Sequence, residues 1–312
     1  MHDGGTAELE QLLEELRALA FTVAYRMLGS VSEAEDIAQE ALLRTHQALD
    51  GDEAIASPRA FVTTVSTRLA IDELRSARAR RELYVGDWLP EPIVTDHSDD
   101  PAGKAETADS VSMAMLLLLE SLSPEERAAF LLHDAFDYPY REIAPIIGKS
   151  EANVRQLATR ARRHLTEHRP RFQTTREHQY ELASRFFKAA DSGDLGELEA
   201  LLADDVVLTG DGGGKAPALA HSLHGRSRVA KVLSNWSKAR VHIVGGVTFN
   251  LVEVNGAPGA LLLDAHHRVA AVLSLEIADG QIRRVMSVVN PEKLAHIGAV
   301  ANLGELLRGG GS

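Results

Sequence analysis

A predicted helix over residues 151–165 carries, along one face, polar side chains of the types that bind nucleic acid. Asn and Gln side chains pair bidentately with adenine, and Arg side chains pair with guanine or hold phosphates. The opposite face is apolar and suits burial against a neighbouring helix. The polar face is formed by Asn153, Arg155, Gln156, Thr159, Arg160 and Arg163. We therefore expect this helix to lie in the major groove of DNA and to contact base edges.

The residues around the start of this helix have the spacing of a helix-turn-helix. A small residue, Ala144, precedes a turn glycine, Gly148, by four positions. The apolar anchors Val154 and Leu157 follow Ala144 by ten and thirteen positions. Ser150 is placed to cap the second helix. The four spacings together predict a helix-turn-helix, in which the second helix is the one that reads DNA.

Two local signals concern the neighbouring helices. Ser123, Pro124 and Glu126 have the order of a capping box with proline at the first helical position, which predicts a helix that begins at Pro124. Pro145 lies inside the first helix of the helix-turn-helix and removes a backbone hydrogen bond there. We therefore expect that helix to start late or to bend.

Acidic and basic residues are segregated along the chain, although the net charge is −12. Residues 1–53 and 87–110 are acidic, whereas residues 59–81 and 141–171 are rich in Arg and Lys. A chain of this kind can place its basic segments on DNA phosphates and its acidic segments on a different partner.

Hydrophobic periodicity divides the chain into helical and mixed parts. Helical spacing extends over residues 6–82 and 110–169, and the acidic, Pro-rich segment between them has no periodicity. Helices and then β-branched segments with Asn-Gly and Asp-Gly turns follow residue 176, with strands predicted over 206–209, 241–244, 247–254, 260–263, 269–277 and 282–289. We predict a multidomain fold in which two all-α modules precede an α+β domain. The predicted segments are 1–84, a linker over 85–109, 110–170, 176–297 and a C-terminal tail over 298–312.

Length and composition limit the class of protein. The 312 residues suit two or three domains, and 45% hydrophobic with 25% charged residues is typical of a folded globular chain. No apolar run reaches the roughly 18 residues of a membrane span, and no cysteine is present to form disulfides or thiolate metal sites. We expect a cytoplasmic protein, monomeric when free, with no metal ion, no cofactor and no membrane contact.

Two segments carry a resemblance to a known family. Leu122–Arg127 (LSPEER), followed by the helix-turn-helix, resembles region 4 of sigma factors, the subunits that direct RNA polymerase to promoters. Ala34–Arg44 (AEDIAQEALLR) resembles the region 2 segment that binds the polymerase. Arg59–Val62 and Ile71–Arg75 resemble the region 2 helix that opens and reads the −10 element. With only these two regions and a short linker, the chain is most similar to extracytoplasmic-function sigma factors.

The resemblance implies roles for individual residues, with the helix-turn-helix reading the −35 element of promoter DNA. The clamp of the largest subunits of core RNA polymerase would bind Asp36, Gln39, Glu40 and Leu43. The −10 element would be contacted by Arg59, Phe61, Thr64, Arg68, Asp72, Arg75 and Arg78. The chain departs from the family pattern at Phe61, where Trp is usual, and at Arg68, where Asn is common, so its −10 preference stays open. Acidic linker residues would thread the polymerase channel that later holds RNA, namely Asp96, Asp99 and Asp100.

Three short motifs narrow the resemblance to the SigJ-like subgroup, whose members carry a C-terminal SnoaL-like domain, an NTF2-like cone of curved sheet and helices. The motifs are Trp88–Pro92 (WLPEP), Asp211–Lys215 (DGGGK) and Asn290–Leu294 (NPEKL). We expect this domain to regulate activity in cis in place of a separate anti-sigma factor, by packing against both sigma modules. The expected regulatory contacts are Trp88, Pro90, Asp211, Gly212, Gly213, Gly214, Lys215, Asn290, Pro291 and Lys293.

Two other interpretations remain open at this point. A helix-turn-helix regulator could bind DNA without polymerase and sense a ligand through its C-terminal domain. Alternatively, the SnoaL-like domain could be an enzyme, or it could bind a small-molecule effector without catalysis. We expect no catalytic residue, because no pairing at informative spacing supports the available acid–base groups. These groups are Asp211, His221, His224, His242, Asp264, His266 and His267.

Overall fold

The computed structural model describes residues 3–50, 55, 57–81, 83–95, 111–168, 175–240, 243 and 246–309. These residues form two compact units. The helical unit consists of the described residues up to 81 together with Leu118–His168. The C-terminal unit consists of the described residues from Leu83 to Leu117 and those that follow residue 169. Within the described residues, no helix is both long and apolar enough to cross a membrane.

Three long helices begin the helical unit. They are α1 (Asp3–Leu28), α2 (Val31–Asp50) and α3 (Pro58–Arg81). Their apolar residues recur at helical spacing, so each helix buries one face against the other two. The buried cluster between them is formed by Leu16, Ala20, Ala38, Ala41 and Val62.

Four shorter helices follow the linker. They are α4 (Met113–Leu119), α5 (Pro124–Asp134), α6 (Tyr140–Ile147) and α7 (Glu151–His168). The predicted capping box is confirmed, because Ser123 Oγ accepts from Glu126 N and Glu126 Oε2 accepts from Ser123 N at 3.2 Å. Pro145 does not delay α6 or end it at once: the helix begins five residues earlier and continues to Ile147. It then ends at Gly148, whose φ of +66° forms the turn.

The C-terminal unit contains one seven-stranded sheet in the order β1-β4-β5-β6-β7-β2-β3. Its strands are β1 (Val94–Thr95), β2 (Leu202–Asp211), β3 (Leu223–His224), β4 (Val247–Val254), β5 (Ala257–Asp264), β6 (Val269–Ala278) and β7 (Gln281–Val288). All neighbouring pairs are antiparallel except β2 with β7, which is parallel. A further strand predicted over residues 241–244 falls largely outside the described residues, and Ile243 lies in a bend.

The two faces of this sheet have different coverings. Three helices, α8 (Arg176–Ser192), α9 (Leu195–Leu201) and α10 (Arg226–Arg240), share a core with one face. A second core contains Leu89 and Met113, which lie before the domain in the chain. It is completed by Val252, Val254, Val269, Val272, Met286, Val288 and Leu294. The C-terminal unit therefore includes Leu89 of the predicted linker and residues 111–117, which the predicted boundaries place in the second helical module.

Two predicted boundaries need correction. The linker assigned to 85–109 is not a free connection in its first part, because residues up to Thr95 pack on the C-terminal unit and β1 pairs with β4. Residues 96–110, with Asp96, Asp99 and Asp100, lie outside the described residues. The tail assigned to 298–312 contains α11 (Leu303–Gly309), because apolar side chains at helical spacing within it pack against the core of the unit.

Candidate functional site

The second helix of the helix-turn-helix, α7, has one buried and one exposed face. Val154, Ala158 and Ala161 are fully buried. Ser150 Oγ accepts from Asn153 N at 3.3 Å, so the helix is capped as predicted. Of the six residues predicted to contact DNA, Asn153 is half-buried and the others are exposed, namely Arg155, Gln156, Thr159, Arg160 and Arg163.

Three of these exposed residues have partners within the helical unit. Arg155 forms an ion pair with Glu151 at 3.0 Å. Thr159 Oγ1 donates to the carbonyl oxygen of Arg155 at 2.7 Å. Arg160 lies 3.5 Å from the carboxylate of Glu126 on α5. These contacts lie at or near the surface, so each orients its side chain at a small energetic cost.

The residues that were predicted to contact the −10 element lie along α3. Arg59 is exposed and pairs with Glu15 at 3.7 Å. Phe61 and Thr64 are half-buried, and Thr64 Oγ1 donates to Ala60 O at 2.8 Å. The side chain of Arg78 lies outside the described residues.

Arg68 connects α3 to the helix-turn-helix. Its Nε donates to Ile146 O at 3.1 Å and its Nη2 donates to Pro145 O at 2.8 Å. Carbonyls in the last turn of a helix have no intrahelical donor, and they form the negative end of the helix dipole. The guanidinium of Arg68 therefore caps α6, which gives this departure from the family pattern a structural role.

Arg75 makes a second link between α3 and the second module. Its Nη2 donates to Glu125 Oε1 at 2.7 Å and its Nη1 donates to Asp72 Oδ1 at 3.1 Å. The hydrogen bond from Arg75 holds the pKa of Glu125 below its usual value. Arg68 and Arg75, both predicted to bind DNA, are thus engaged within the protein in this conformation.

The residues predicted to bind polymerase lie on α2. Asp36, Gln39 and Leu43 are exposed on one helical face, and Glu40 is half-buried beside them. Glu40 accepts from Arg44 Nε at 2.7 Å. Leu43 has 54% of its surface exposed, which is unusual for a large apolar side chain in a helix that packs well elsewhere.

In the C-terminal unit, Asp211 at the end of β2 is completely buried and is fully hydrogen-bonded. Its Oδ1 accepts from Tyr84 Oη at 2.6 Å. Its Oδ2 accepts from Leu89 N at 2.8 Å and from Lys293 Nζ at 2.7 Å. Burial, and then the hydrogen bond to Asp211, raises the pKa of the Tyr84 hydroxyl. A buried carboxylate therefore binds two residues of the linker.

Lys293 binds the same segment. Besides the ion pair with Asp211, its Nζ donates to the carbonyl oxygen of Leu89. The ammonium also lies 4.3 Å from the ring centroid of Trp88 and 5.0 Å from that of Tyr84, both within the range of cation–π attraction. The aromatic residues of the linker thus surround a buried cation.

Asn290 completes the site through two side-chain hydrogen bonds. Its Nδ2 donates to Tyr84 Oη at 3.0 Å, and its Oδ1 accepts from Glu292 N at 3.1 Å. Pro291 begins a short 3₁₀ helix, which places Lys293 beside Asp211. Lys215 forms an exposed ion pair with Glu292.

The glycine run allows the linker to approach closely. Gly213 has a φ of +55°, and a Cβ there would collide with Nδ2 of Asn290. Gly214, with a φ of +72°, would place a Cβ 3.2 Å from Cβ of Val85. A Cβ at Gly212 would overlap the backbone of its own loop. The motif therefore has glycines where backbone and linker leave no room for a side chain.

The rest of the WLPEP segment continues along the sheet. Pro90 is buried, and Pro92 O lies 2.8 Å from Nε2 of His296. Ile93 exchanges hydrogen bonds with Asn255: Ile93 N donates to Asn255 Oδ1 at 3.0 Å, and Asn255 N donates to Ile93 O at 2.8 Å. The linker is therefore bound through side chains and through backbone pairing.

The structure brings the three motifs together at one place, which we call the linker-binding site. Its principal residues are Tyr84, Trp88, Leu89, Asp211, Asn290 and Lys293. The motif residues were predicted as contacts with the sigma modules. Within the C-terminal unit, their partners lie in the linker and in one another.

Sequence reasoning missed three participants. Tyr84 lies four positions before WLPEP and Leu89 is an apolar residue within it, so only their position in or near this motif could have indicated a role. Asn255 was predicted as a turn residue; it has a φ of +51° but is also 2% exposed and bonded to the linker. The sequence shows only an Asn-Gly dipeptide there, which indicates a turn, and the burial of Asn255 is visible only in the structure.

The candidate acid–base groups of the enzyme interpretation are dispersed. Asp264 accepts from the backbone of His266 at 2.9 Å and from Arg268 Nε at 2.8 Å, so it stabilises a turn. His221, His224, His266 and His267 are exposed, and His242 lies outside the described residues. Among the described residues, no group of His, Asp and Glu is placed to hold a metal ion.

Comparisons with known proteins agree with this architecture. The family model for sigma-70 region 2 matches residues 12–80, and the model for sigma-70 region 4 matches residues 112–165. The chain is 38% identical over 288 residues to the ECF RNA polymerase sigma factor SigJ of Mycobacterium tuberculosis, which covers 90% of this chain and 91% of that protein. It is 33% identical over 286 residues to the probable ECF sigma factor SigI of the same species, which covers 89% and 92% of the two chains.

A solved structure extends the agreement to three dimensions. The crystal structure of Mycobacterium tuberculosis SigJ aligns with a TM-score of 0.73 at 36% identity, over 91% of this chain and 98% of that one. The predicted family and the predicted fold class are confirmed. The chain belongs to the extracytoplasmic-function RNA polymerase sigma factors.

Proposed function

We propose that this sigma factor reads the −35 element with α7 and the −10 element with α3, and that its C-terminal unit controls promoter use in cis by holding the linker. The observation that carries the control is the buried pair of Asp211 and Lys293, which bonds both backbone groups of Leu89. A linker held in this way limits how the two sigma modules move apart. Releasing it raises transcription.

The assignments to DNA and polymerase rest on exposure and charge. The polar face of α7 presents amide and guanidinium groups in the pattern that suits base edges and phosphates. Leu43 on α2 is an exposed apolar anchor within an acidic surface, which suits docking on the polymerase clamp. We infer that the protein acts in the cytoplasm, as a monomer until it binds core polymerase and promoter DNA.

The helical unit must open before it can bind a promoter. The −10 and −35 elements lie about 25 base pairs apart, or about 85 Å at 3.4 Å for each pair. In this structure Arg68 and Arg75 of α3 instead bond residues of α5 and α6. The compact arrangement is therefore a resting form whose −10 helix is partly covered.

The linker determines how far the modules separate. About 42 residues connect the end of α3 to the start of α5, and a free chain of that length spans up to about 140 Å. Residues 84–95 and 111–117 are instead bound to the C-terminal unit, so the segment between them begins and ends on that unit and adds nothing to the distance between the modules. The C-terminal unit thus shortens the reach that promoter binding requires.

We infer that the C-terminal unit contributes control rather than catalysis. Asp211, the carboxylate of the DGGGK motif, is completely buried and already accepts hydrogen bonds from Tyr84, Leu89 and Lys293, as expected for a structural role. The described histidine candidates are all exposed, and His221 and His224 line one open pocket, apart from Asp264.

Run-off transcription with core polymerase on genomic fragments tests the DNA and polymerase assignments. We expect promoter-specific transcripts only when both core polymerase and this chain are present. Gln156→Ala should lower their yield, while Glu167→Ala, an exposed change at the far end of α7, should not. Tight sequence-specific binding of the chain alone in a gel shift would support the stand-alone regulator and contradict the proposal.

A further inference from the structure

A cavity of about 260 Å³ lies between the helices and the sheet of the C-terminal unit, on the opposite face from the linker. Among the described residues that line it, no side chain carries a charge. Its polar groups are the hydroxyls of Ser237 and Ser287 and the indole N–H of Trp236. The Ser237 hydroxyl already donates to Asp191 O at 2.8 Å. The remaining surface is hydrocarbon, aromatic or glycine.

We propose that this cavity binds a small, uncharged and largely hydrocarbon ligand, and that the ligand controls how firmly the linker is held. A charged ligand would lose its hydration there without a partner. An apolar cavity of about 150 Å³ holds benzene. A cavity of 260 Å³ therefore suits a molecule of one or two rings, or a branched hydrocarbon of similar size, with at most one hydroxyl or carbonyl group.

The opening of the cavity is covered by elements that can move. Leu303 and Leu307 of α11 line it from one side, and the loop 217–219 lines it from another. Leu307 is 41% exposed, so the cover is partial. A helix of seven residues is marginal unless its side chains pack. Displacement of α11 gives the ligand a route of entry.

Two strands connect the cavity to the linker-binding site. Gly210 of β2 and Ser287 of β7 are register partners, and both line the cavity. The next pair in register places Asp211 beside Val288 on the other face, because successive residues of a strand point to opposite sides. Val289 lines the cavity and immediately precedes Asn290 of the linker-binding site. A ligand that stabilises these strands therefore stabilises both halves of that site.

Binding can be measured without any assumption about transcription. 1-Naphthylamine is an uncharged probe of two rings whose fluorescence shifts in apolar surroundings, and 2-methylnaphthalene with 2-naphthoate forms a matched neutral and charged pair of competitors. The variants are Ala218→Trp, at the mouth of the cavity, and Ala220→Trp, two residues away and outside the lining. Both alanines are exposed, so neither change needs space in the core.

We expect the wild-type protein to bind the probe. 2-Methylnaphthalene should displace half of it at a concentration at least tenfold lower than 2-naphthoate. Ala218→Trp should weaken probe binding at least tenfold, whereas Ala220→Trp should leave it within twofold. Absence of probe binding to the full chain, equal competition by the two naphthalenes, or equal binding by the two variants would overturn the proposed cavity ligand.

The control of the linker by a ligand in the cavity rests on the proposed function, and hydrogen exchange measures it separately. Saturating 2-methylnaphthalene should slow hydrogen exchange at the Leu89 amide at least threefold, because a ligand bound only to the intact unit stabilises it. Ligand binding with unchanged exchange at Leu89 would overturn the control by ligand while the cavity site stands. A failure of promoter-specific transcription would contradict the proposed function and would leave the binding result intact.

Discussion

Asp211 and Lys293 form an ion pair of 2.7 Å that is buried on both sides, and each of them bonds one backbone group of Leu89. The carboxylate accepts the amide proton and the ammonium donates to the carbonyl. A single linker residue thus completes the hydrogen bonding of two buried charges. Removing the linker from the site would leave both charges less well satisfied, which explains why the attachment is firm.

Removal of one partner of this pair should destabilise the C-terminal unit strongly. We expect Asp211→Ala or Lys293→Met to lower its free energy of unfolding by about 3–5 kcal/mol, because each leaves the other charge buried and unpaired. The double variant should lose clearly less than the sum of the two. Both tryptophans, Trp88 and Trp236, belong to this unit, so their fluorescence during urea unfolding reports it selectively.

The control for this cycle is Asp205→Asn, which changes a carboxylate whose side chain is 75% exposed. It should shift the unfolding free energy by less than about 0.5 kcal/mol. Additive losses from the two buried changes would show that the pair is not coupled and would contradict the description of the site.

Gly213 should tolerate no side chain. Gly213→Ala adds backbone strain and a collision with Asn290, whereas Gly225→Ala adds a comparable positive φ with no atom within 4 Å of the new Cβ. We expect both variants to lose about 1 kcal/mol from strain, and only Gly213→Ala to increase hydrogen exchange at the amides of residues 84–95. Equal exchange in the two variants would mean that close approach of the linker is not what the glycine provides.

The contact between Arg75 and Glu125 should give the helical unit a dependence on pH. The hydrogen bond from Arg75 lowers the pKa of Glu125 from its usual 4.5, so the pair stabilises the folded state above pH 4.5 and loses that effect as the pH falls through the lowered pKa. Because the Arg75 side chain is 57% exposed, the effect should stay below about 1 kcal/mol.

Circular dichroism during urea unfolding measures this contribution as the difference between wild type and Glu125→Gln. We expect the difference to be constant well above pH 4.5 and to shrink progressively as the pH falls below 4.5, while Glu167→Gln, an exposed change on α7, shows no such loss. A difference that grows as the pH falls would contradict the assigned direction.

Two residues of α7 should differ in what they contribute to DNA binding. Gln156→Ala should weaken binding to the preferred promoter by about 1–3 kcal/mol, because a bidentate base contact is lost. Binding to promoters that differ from it at the contacted base pair should weaken much less. Arg163→Ala should weaken binding to all sequences equally, as expected for a phosphate contact. It should also reduce the slope of log affinity against log salt concentration by about one. Binding of the polymerase holoenzyme to a set of −35 variants at two salt concentrations separates the two, and identical profiles would contradict the roles.

The sequence predicts elements well where a local pattern is sufficient. The capping box at Ser123 and the helix-turn-helix around Gly148 depend on residues within about 25 positions of each other, and both appear as expected. The strands of the C-terminal unit follow from β-branched runs and Asn-Gly or Asp-Gly turns in the same way.

What the sequence does not show is which distant segments meet. Tyr84 is 127 positions from Asp211 and 206 positions from Asn290. Asp211 and Asn290 come close to each other because β2 and β7 are parallel neighbours in the sheet. The same holds for Arg68, whose partners are carbonyls left free at the end of α6 rather than side chains with a readable type. Backbone acceptors carry no signature in the sequence.

The central claim is that the C-terminal unit restrains transcription through its hold on the linker. Multi-round run-off transcription with core polymerase, using wild type, Lys293→Met and the exposed control Asp205→Asn at equal concentrations of folded protein, tests it most directly. We predict at least a threefold increase in promoter-specific transcript for Lys293→Met and no change for Asp205→Asn. Equal transcript from wild type and Lys293→Met, with increased hydrogen exchange at the Leu89 amide verified in the variant, would contradict it.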